Sequence, residues 1–228
     1  ITMSKPSSNI LRFPEWVIKL ARNNHMDWGC IQVVEESRYS CLMPHHFTQV
    51  GAIYARLFGD WKPRKIIDAT AHIGCDSIMF HAAFRSANIV ALEIDSKTAA
   101  VLGSNMKKMS MINRGNNRAV TAVNMDCMQY FESDQTAADI IYFDPPWGGS
   151  QYKNAAAYGL RLNAQPLGNS VKAALLHSPQ ARIIIRVPYN ADIDELETTS
   201  KLQYTQHIVR NPRGDIAFML LVSKAVSP

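Results

Sequence analysis

Two short runs constrain this chain more than anything else in it: Ile140-Ile141-Tyr142-Phe143 and Ile183-Ile184-Ile185 are apolar without alternation. A strand with one face in water alternates apolar and polar residues, so an unbroken apolar run of this length belongs to a strand covered on both faces. Such cover takes helices above and below the sheet, and the chain from Lys65 onward supplies them. Strand runs at Ile66–Thr70, Ile89–Ile94, Val120–Met125, Ile140–Phe143 and Ile183–Val187 are separated by helical patterns. Those patterns lie at Asp76–Arg85, Lys97–Met111, Met128–Asp134 and Pro166–His177. The last two runs, Tyr204–Arg210 and Ile216–Ser223, are joined by Asn211-Pro212-Arg213-Gly214-Asp215, which is turn chemistry. They are expected to close the sheet as an antiparallel hairpin at one edge. The fold class is thus α/β, with a mostly parallel, seven-stranded sheet.

Before Lys65 the pattern changes. Phe13–Asn23 and His46–Phe58 read as amphipathic helices, and Ile31–Tyr39 as a short strand pair or a loop. Residues 1–64 are taken as an N-terminal helical extension that packs on the sheet or roofs its site, and residues 65–228 as the main domain. The length of 228 residues suits one domain with an extension. Apolar residues at 47% and charged residues at 19% exclude disorder for most of the chain. The longest apolar stretches, such as Ile216 to Val222, fall far short of the roughly 20 residues that cross a bilayer, so a soluble protein is expected. Four cysteines (Cys30, Cys41, Cys75, Cys127) lie well apart with no CxxC pair, and residues Ile1 to Pro6 hold no secretory pattern. An intracellular setting, nucleus or cytoplasm, is expected. Nothing in the sequence bears on protein partners or oligomeric state.

The net charge of +5 is unevenly spread. Residues 96–118 hold five bases (Lys97, Lys107, Lys108, Arg114, Arg118) and no acid. Residues 150–190 again hold five (Lys153, Arg161, Lys172, Arg182, Arg186), whereas residues 119–149 carry five acids and no base. Such segregation either builds a positive face for a polyanion or leaves ordinary solvated charges.

In an open α/β sheet a ligand sits beyond the carboxyl ends of the strands, where strand order reverses. Acids collect at that edge: Asp68 in strand one, Glu93 and Asp95 closing strand two, Asp126 after strand three. Each alone reads as a helix cap or a solvated turn. Together they favour a ligand, and an acid closing strand two is placed to accept from ribose hydroxyls, which implies a cofactor containing a nucleoside. Strand four then runs into Asp144-Pro145-Pro146-Trp147-Gly148-Gly149. Two prolines fix both φ angles and remove both amide donors, so this loop offers carbonyls with no competing N–H. Carboxylate and carbonyl acceptors beside an indole face suit a planar heterocycle bearing an exocyclic amine.

Asp144-Pro145-Pro146-Trp147 after strand four resembles the signature of S-adenosylmethionine-dependent methyltransferases that act on amino groups of bases. With Gly148-Gly149 and Tyr152 the string is similar to that of the RNA cap guanine-N2 methyltransferases, the trimethylguanosine synthase family. Asp68-Ala69-Thr70-Ala71-His72-Ile73-Gly74-Cys75-Asp76 sits where that family has its glycine-rich cofactor loop. Asn190-Ala191-Asp192-Ile193-Asp194 and the helix-leading Pro44 also agree, and the resemblance spans about Cys41 to Val222. It implies a Rossmann-like class I methyltransferase fold, with S-adenosylmethionine as cofactor and capped RNA as partner. Residues 1–64 would cover cofactor and cap. Asp68, Thr70, Ala71, Gly74, Glu93, Asp126, Asp144 and Pro44 would bind the cofactor, with Asp68 at its methionine end, Glu93 on the ribose and Asp126 on the adenine amine. Asp144 and the Pro145 carbonyl would hold the guanine amine, and Trp147 would stack on 7-methylguanine. Gly148, Tyr152 and Asn190 would complete the substrate site. His72 and Cys75 replace two expected glycines, so either the loop takes another path or cofactor affinity is reduced, and Ser150 replaces a proline.

The expected activity is methyl transfer to the exocyclic N2 of a 7-methylguanosine cap. Two other readings stay open: an amino methyltransferase acting on adenine in RNA or DNA, and a catalytically weak cap-binding module. No metal is expected. His45 and His46 adjoin and point different ways on a helix, and His25, His81, His177 and His207 lack partners at ligand spacing. Met106, Met109 and Met111 read as core filler.

Overall fold

The computed structural model describes residues 11–12, 31–34, 37, 41–42, 44–84, 86–112, 119–133 and 136–224. The helix expected at Phe13–Asn23 lies outside them, as do residues 35–36 and 38–39 of the Ile31–Tyr39 stretch. The chain opens with β1 (Leu11–Arg12) and β2 (Gln32–Val33), an antiparallel pair, followed by α1 (Pro44–Phe58). Then come β3 (Lys65–Asp68), α2 (Cys75–Ala83), β4 (Asn88–Glu93), α3 (Ser96–Ile112), β5 (Val120–Asn124), α4 (Cys127–Ser133) and β6 (Ile140–Phe143). A 3-10 turn (Gly149–Asn154) leads into the small pair β7 (Arg161–Leu162) and β8 (Gln165–Pro166). The chain ends with α5 (Leu167–His177), β9 (Arg182–Val187), α6 (Ile193–Ser200), β10 (Tyr204–Arg210) and β11 (Ile216–Ser223).

The seven-stranded sheet runs β10-β11-β9-β6-β3-β4-β5. Strands β5, β4, β3, β6 and β9 are parallel, and β11 pairs antiparallel with both β9 and β10. The expected hairpin is thus present at the edge. Asn211 Oδ1 accepts from the amides of Arg213 (2.9 Å) and Asp215 (3.1 Å), and Gly214 at φ 92 completes the turn.

The unalternating strands are buried on both faces, as their composition demands. Ile66, Ile140, Tyr142 and Ile184 face one apolar cluster with α1 and α2, whereas Ile67, Ile141, Phe143, Ile183 and Ile185 face another with α4 and α5. Each such side chain contributes roughly 1.5–3 kcal/mol by leaving water. Ile31, Val33, Leu42, Phe47 and Val50, all before Lys65, belong to the first of these clusters. Asn105 of α3, fully buried, ties that early segment down: its Oδ1 accepts from the Gln32 amide (2.8 Å), and its Nδ2 donates to the carbonyls of Gln32 (2.9 Å) and Ile73 (2.9 Å).

Four features were not expected from the sequence: β1, the 3-10 turn, the β7–β8 pair and α6. The helix had a legible signal, because Asp192 caps it by accepting from the Glu195 amide at 2.9 Å, and Asp-x-x-Glu is a helix-start pattern. His45 and His46 do not point apart as expected. Their rings meet edge-on with centroids 4.0 Å apart.

Candidate functional site

From β3 the chain moves outward to β4 and β5, then returns to β6 on the other side of β3. The connections after β3 and β6 therefore leave in opposite directions, and a crevice opens between their carboxyl ends. Asp68 closes β3 and Asp144 follows β6, so the two acids meet there. Thr70 joins the two loops by accepting from the Asp144 amide at 2.6 Å.

Asp68 is fully buried; its Oδ2 accepts from Ser77 Oγ at 2.6 Å, and its Oδ1 has no hydrogen-bond partner among the described residues. Burial, reinforced by the charge of Asp76, pushes its carboxyl up to about 8, against the pull of the Ser77 hydrogen bond. Asp144 is held by Arg186 in a short charge-assisted hydrogen bond. The same guanidinium reaches Asp76 Oδ2 at 3.4 Å, and Asp76 Oδ1 accepts from the Tyr142 hydroxyl at 2.9 Å. Burial raises the Asp144 carboxyl to about 6 even though Arg186 opposes the shift. The crevice thus holds three acids: Asp76 and Asp144 share one guanidinium that is only 5% exposed, and Asp68 stands near both of them.

Arg186, Asp76 and Tyr142 were not expected as site residues. The signal for Arg186 was present: a charge set between Ile185 and Val187 in the strand Arg182–Val187 must find a partner, because an unpaired ion in the interior costs several kcal/mol. Its capture inside the fold removes Arg186 from any positive face built by residues 150–190. Arg161, half-exposed, pairs with Glu195 at 3.0 Å.

The loop after β3 keeps the shape that glycine usually provides. Gly74 sits at φ 93, where an added Cβ would lie 2.4 Å from Met106 Cε and 2.8 Å from Leu102 Cδ1. His72 takes φ 51 without being glycine, so the backbone penalty anticipated for both replacements falls on His72 alone. Cys75 already belongs to α2. Ala71 is buried and its amide donates to the Leu92 carbonyl at 2.8 Å, fastening this loop to β4.

Glu93 and Asp126 stand at the same sheet edge. Glu93 Oε1 accepts from the Asp95 amide at 2.8 Å. Asp126 accepts from the Met128 amide (3.0 Å) and from Asn163 Nδ2 (2.9 Å), which leaves one lone pair on each oxygen. Asp95 is a cap: its Oδ1 accepts from both Thr98 N and Thr98 Oγ1 at 2.8 Å. Pro44 is the first residue of α1, a position that suits its fixed φ and missing donor.

Past Asp144, Pro145 is buried and Trp147 is half-buried against the first apolar cluster. The indole meets Tyr152 edge-on at 5.5 Å, and its Nε1–H has no partner among the described residues. Gly148 and Gly149 both take φ 68, and a Cβ on Gly148 would lie 3.0 Å from the Tyr158 hydroxyl. Asn190 braces this segment by donating to the carbonyls of Tyr152 (2.8 Å) and Ala155 (2.7 Å). Its Oδ1 remains buried without a partner among the described residues. The fold therefore draws Asp68, Thr70 and Asp144 into one network, Trp147, Tyr152 and Asn190 into a second beside it, and leaves Glu93 and Asp126 farther along the edge.

Residues 63–219 match a family model described as RNA cap guanine-N2 methyltransferase. The chain is 27% identical over 151 residues to a trimethylguanosine synthase of Schizosaccharomyces pombe, covering 64% of this chain and 59% of that protein. It is also 27% identical over 139 residues to an uncharacterized protein of Acanthamoeba polyphaga mimivirus, covering 59% of this chain and 51% of the relative. The chain thus spans between half and three fifths of the length of these relatives. Among solved structures, a SAM-dependent methyltransferase from Agrobacterium tumefaciens superposes with a TM-score of 0.56 at 13% identity, over 82% of this chain and 64% of that one.

Proposed function

The chain belongs to the RNA cap guanine-N2 methyltransferase family, whose cofactor is S-adenosylmethionine, and from that premise we propose that it methylates the exocyclic N2 of a 7-methylguanosine cap on RNA. One observation supports this reading above the rest: the Asp144-Pro145-Pro146-Trp147 loop opens onto a buried network that fixes Asp144 through Arg186 and Thr70.

The residues present fit a cationic cofactor. Asp76 and Asp144 share one guanidinium with Asp68 near them, which leaves the crevice short of positive charge, and among the described residues Asp68 Oδ1 has no donor to accept from. In this reading Asp68 holds the methionine end, Glu93 the ribose hydroxyls and Asp126 the adenine amine, through lone pairs their local bonds leave free. Thr70, Ala71 and Gly74 shape the loop that receives it, and Pro44 leads the helix that covers it. When bound, S-adenosylmethionine supplies a methyl group carried on a sulfonium. The chain's own work is orientation. A guanine exocyclic amine is a weak nucleophile because its lone pair is delocalised into the ring. Asp144 and the Pro145 carbonyl accept its hydrogens, which localises that lone pair and aims it. Trp147 offers its face to the base, with Gly148 and Tyr152 beside it and Asn190 bracing the turn. The positive charge of 7-methylguanine over an indole adds about 0.5–2 kcal/mol, which discriminates against plain guanine.

The test is methyl transfer from labelled cofactor to m7GpppG, GpppG and an adenine oligonucleotide, with the product base identified by mass spectrometry. N2-methylated 7-methylguanosine is expected. Methylated adenine would replace this reading with the adenine one, and cap binding without transfer would reduce the chain to a binding module. Trp147→Ala should cost about 1–3 kcal/mol in cap affinity, more for 7-methylguanosine than for guanosine. An unchanged ratio of the two affinities, with a lowered melting temperature, would make Trp147 a packing residue.

A further inference from the structure

The aromatic surface beside the loop after β6 does not stop at Tyr152. The Tyr152 ring meets Trp147 edge-on at 5.5 Å and Tyr189 at 6.3 Å with an interplanar angle of 65°. Tyr158 lies against the same ring at 6.2 Å. Tyr189 follows β9 and is 46% exposed, whereas Trp147, Tyr152 and Tyr158 are half-buried. One exposed aromatic side chain is ordinary on a protein surface. Tyr189 differs in ending a row of rings that begins at Trp147, the residue placed against the cap base.

We propose that Tyr189 is a stacking platform for the base of the first nucleotide after the cap. This rests on the cap reading and extends the substrate site by one nucleotide.

The segment that carries Tyr189 is fastened to the turn that carries Tyr152. Asn190 Nδ2 donates to the carbonyls of Tyr152 (2.8 Å) and Ala155 (2.7 Å), and the Asn190 carbonyl accepts from the Tyr158 amide at 2.7 Å. The Tyr158 carbonyl in turn accepts from the Asp192 amide at 2.9 Å. A ring on a backbone held this way loses little freedom when a base settles on it. Tyr152 is flanked by three rings, so Tyr189 is the member of the row with a face left open.

The charge around the row suits a polyanion. Residues 145–191 contain no acid, and Lys153 Nζ lies 5.9 Å from the centre of the Tyr152 ring. The first acids beyond, Asp192 and Glu195, are engaged, one as the cap of α6 and the other with Arg161 at 3.0 Å. In a capped RNA a triphosphate bridge joins 7-methylguanosine to the first nucleotide. With the cap base on Trp147, that nucleotide leaves over Tyr152 and reaches Tyr189, two ring-to-ring steps of 5.5 and 6.3 Å away. Every base has a π-face, so such a contact adds affinity for capped RNA without selecting among transcripts.

Fluorescence titration of the full chain, with S-adenosylhomocysteine present, compares m7GpppA with an analogue in which a bare ribose replaces the adenosine. The wild type is expected to bind m7GpppA about tenfold tighter than the analogue. Tyr189→Ala should erase that gain while leaving affinity for the analogue as it was, and Tyr189→Phe should keep the gain. Failure of either ligand to bind the wild type would overturn the cap reading and this inference with it. Binding of both with no gain from the adenine, or a gain that Tyr189→Ala retains, would overturn the platform alone. Equal weakening of both ligands by Tyr189→Ala would also overturn it, by making the ring a brace for Tyr152.

Discussion

Asp144 lies between opposing influences. Burial pushes its proton on, Arg186 pulls it off, and the balance leaves the carboxyl at about 6. Its proposed task is served by the ionised form, because a carboxylate accepts a hydrogen bond more strongly than a protonated carboxyl, whose own O–H is a donor. Turnover should therefore climb as pH rises through about 6 and level off above it. Asp144→Asn keeps the shape but not the charge, so it should flatten that limb and lower turnover about 100-fold while changing cap affinity little. A pH–rate profile of both proteins, with cap titrations beside it, checks this. A variant that loses cap binding and retains turnover would make Asp144 a binding residue only. Asp144 was legible in the sequence because the two prolines after it mark an unusual loop. Its partner Arg186 was visible too, as a charge in a buried strand, but no sequence spacing says which of the neighbouring acids it will choose.

At the scale of elements, the positions of strands and helices followed from periodicity because burial on two faces leaves little freedom in composition. The expected helices among the described residues began and ended within a few residues of expectation, and the C-terminal hairpin matched end to end. What periodicity does not reveal is how elements are joined across space. Asn105 is an example: on α3 it reads as a polar residue of no special standing, yet it is fully buried and makes three hydrogen bonds to β2 and to the cofactor loop. Asn105→Ala leaves the Gln32 amide and two carbonyls without that partner, a loss of about 1–3 kcal/mol for buried groups left unsatisfied. Denaturant titration should show the lower midpoint. Calorimetry should show weaker S-adenosylmethionine binding, because the Ile73 carbonyl anchors the loop between Asp68 and α2. Full retention of both would mean that water replaces the amide at no cost.

For the whole molecule the decisive quantity is the charge balance at the switch point of the sheet. Asp76 and Asp144 share one guanidinium there, and Asp68 near them carries the imbalance as a carboxyl raised to about 8 by burial and by Asp76. Below that pH Asp68 is largely protonated in the free protein; a cationic cofactor favours the carboxylate, so binding near neutrality should expel up to one proton. Affinity for S-adenosylmethionine should then rise with pH toward about 8 and flatten beyond it. Calorimetry at neutral pH in buffers of differing ionisation enthalpy measures the release, and Asp68→Asn should abolish it. An equal heat in every buffer would remove Asp68 from the cofactor's charged end. The layered sheet, the crevice edge and the family were legible in the sequence, because those rest on local periodicity and on a loop whose prolines act within a few residues. That Arg186 is a buried strut between Asp76 and Asp144, and that Asn105 ties β2 to the loop after β3, came from the fold alone. Both depend on which residues distant in sequence share a low-dielectric interior, where a charged or polar group takes its character from its neighbours.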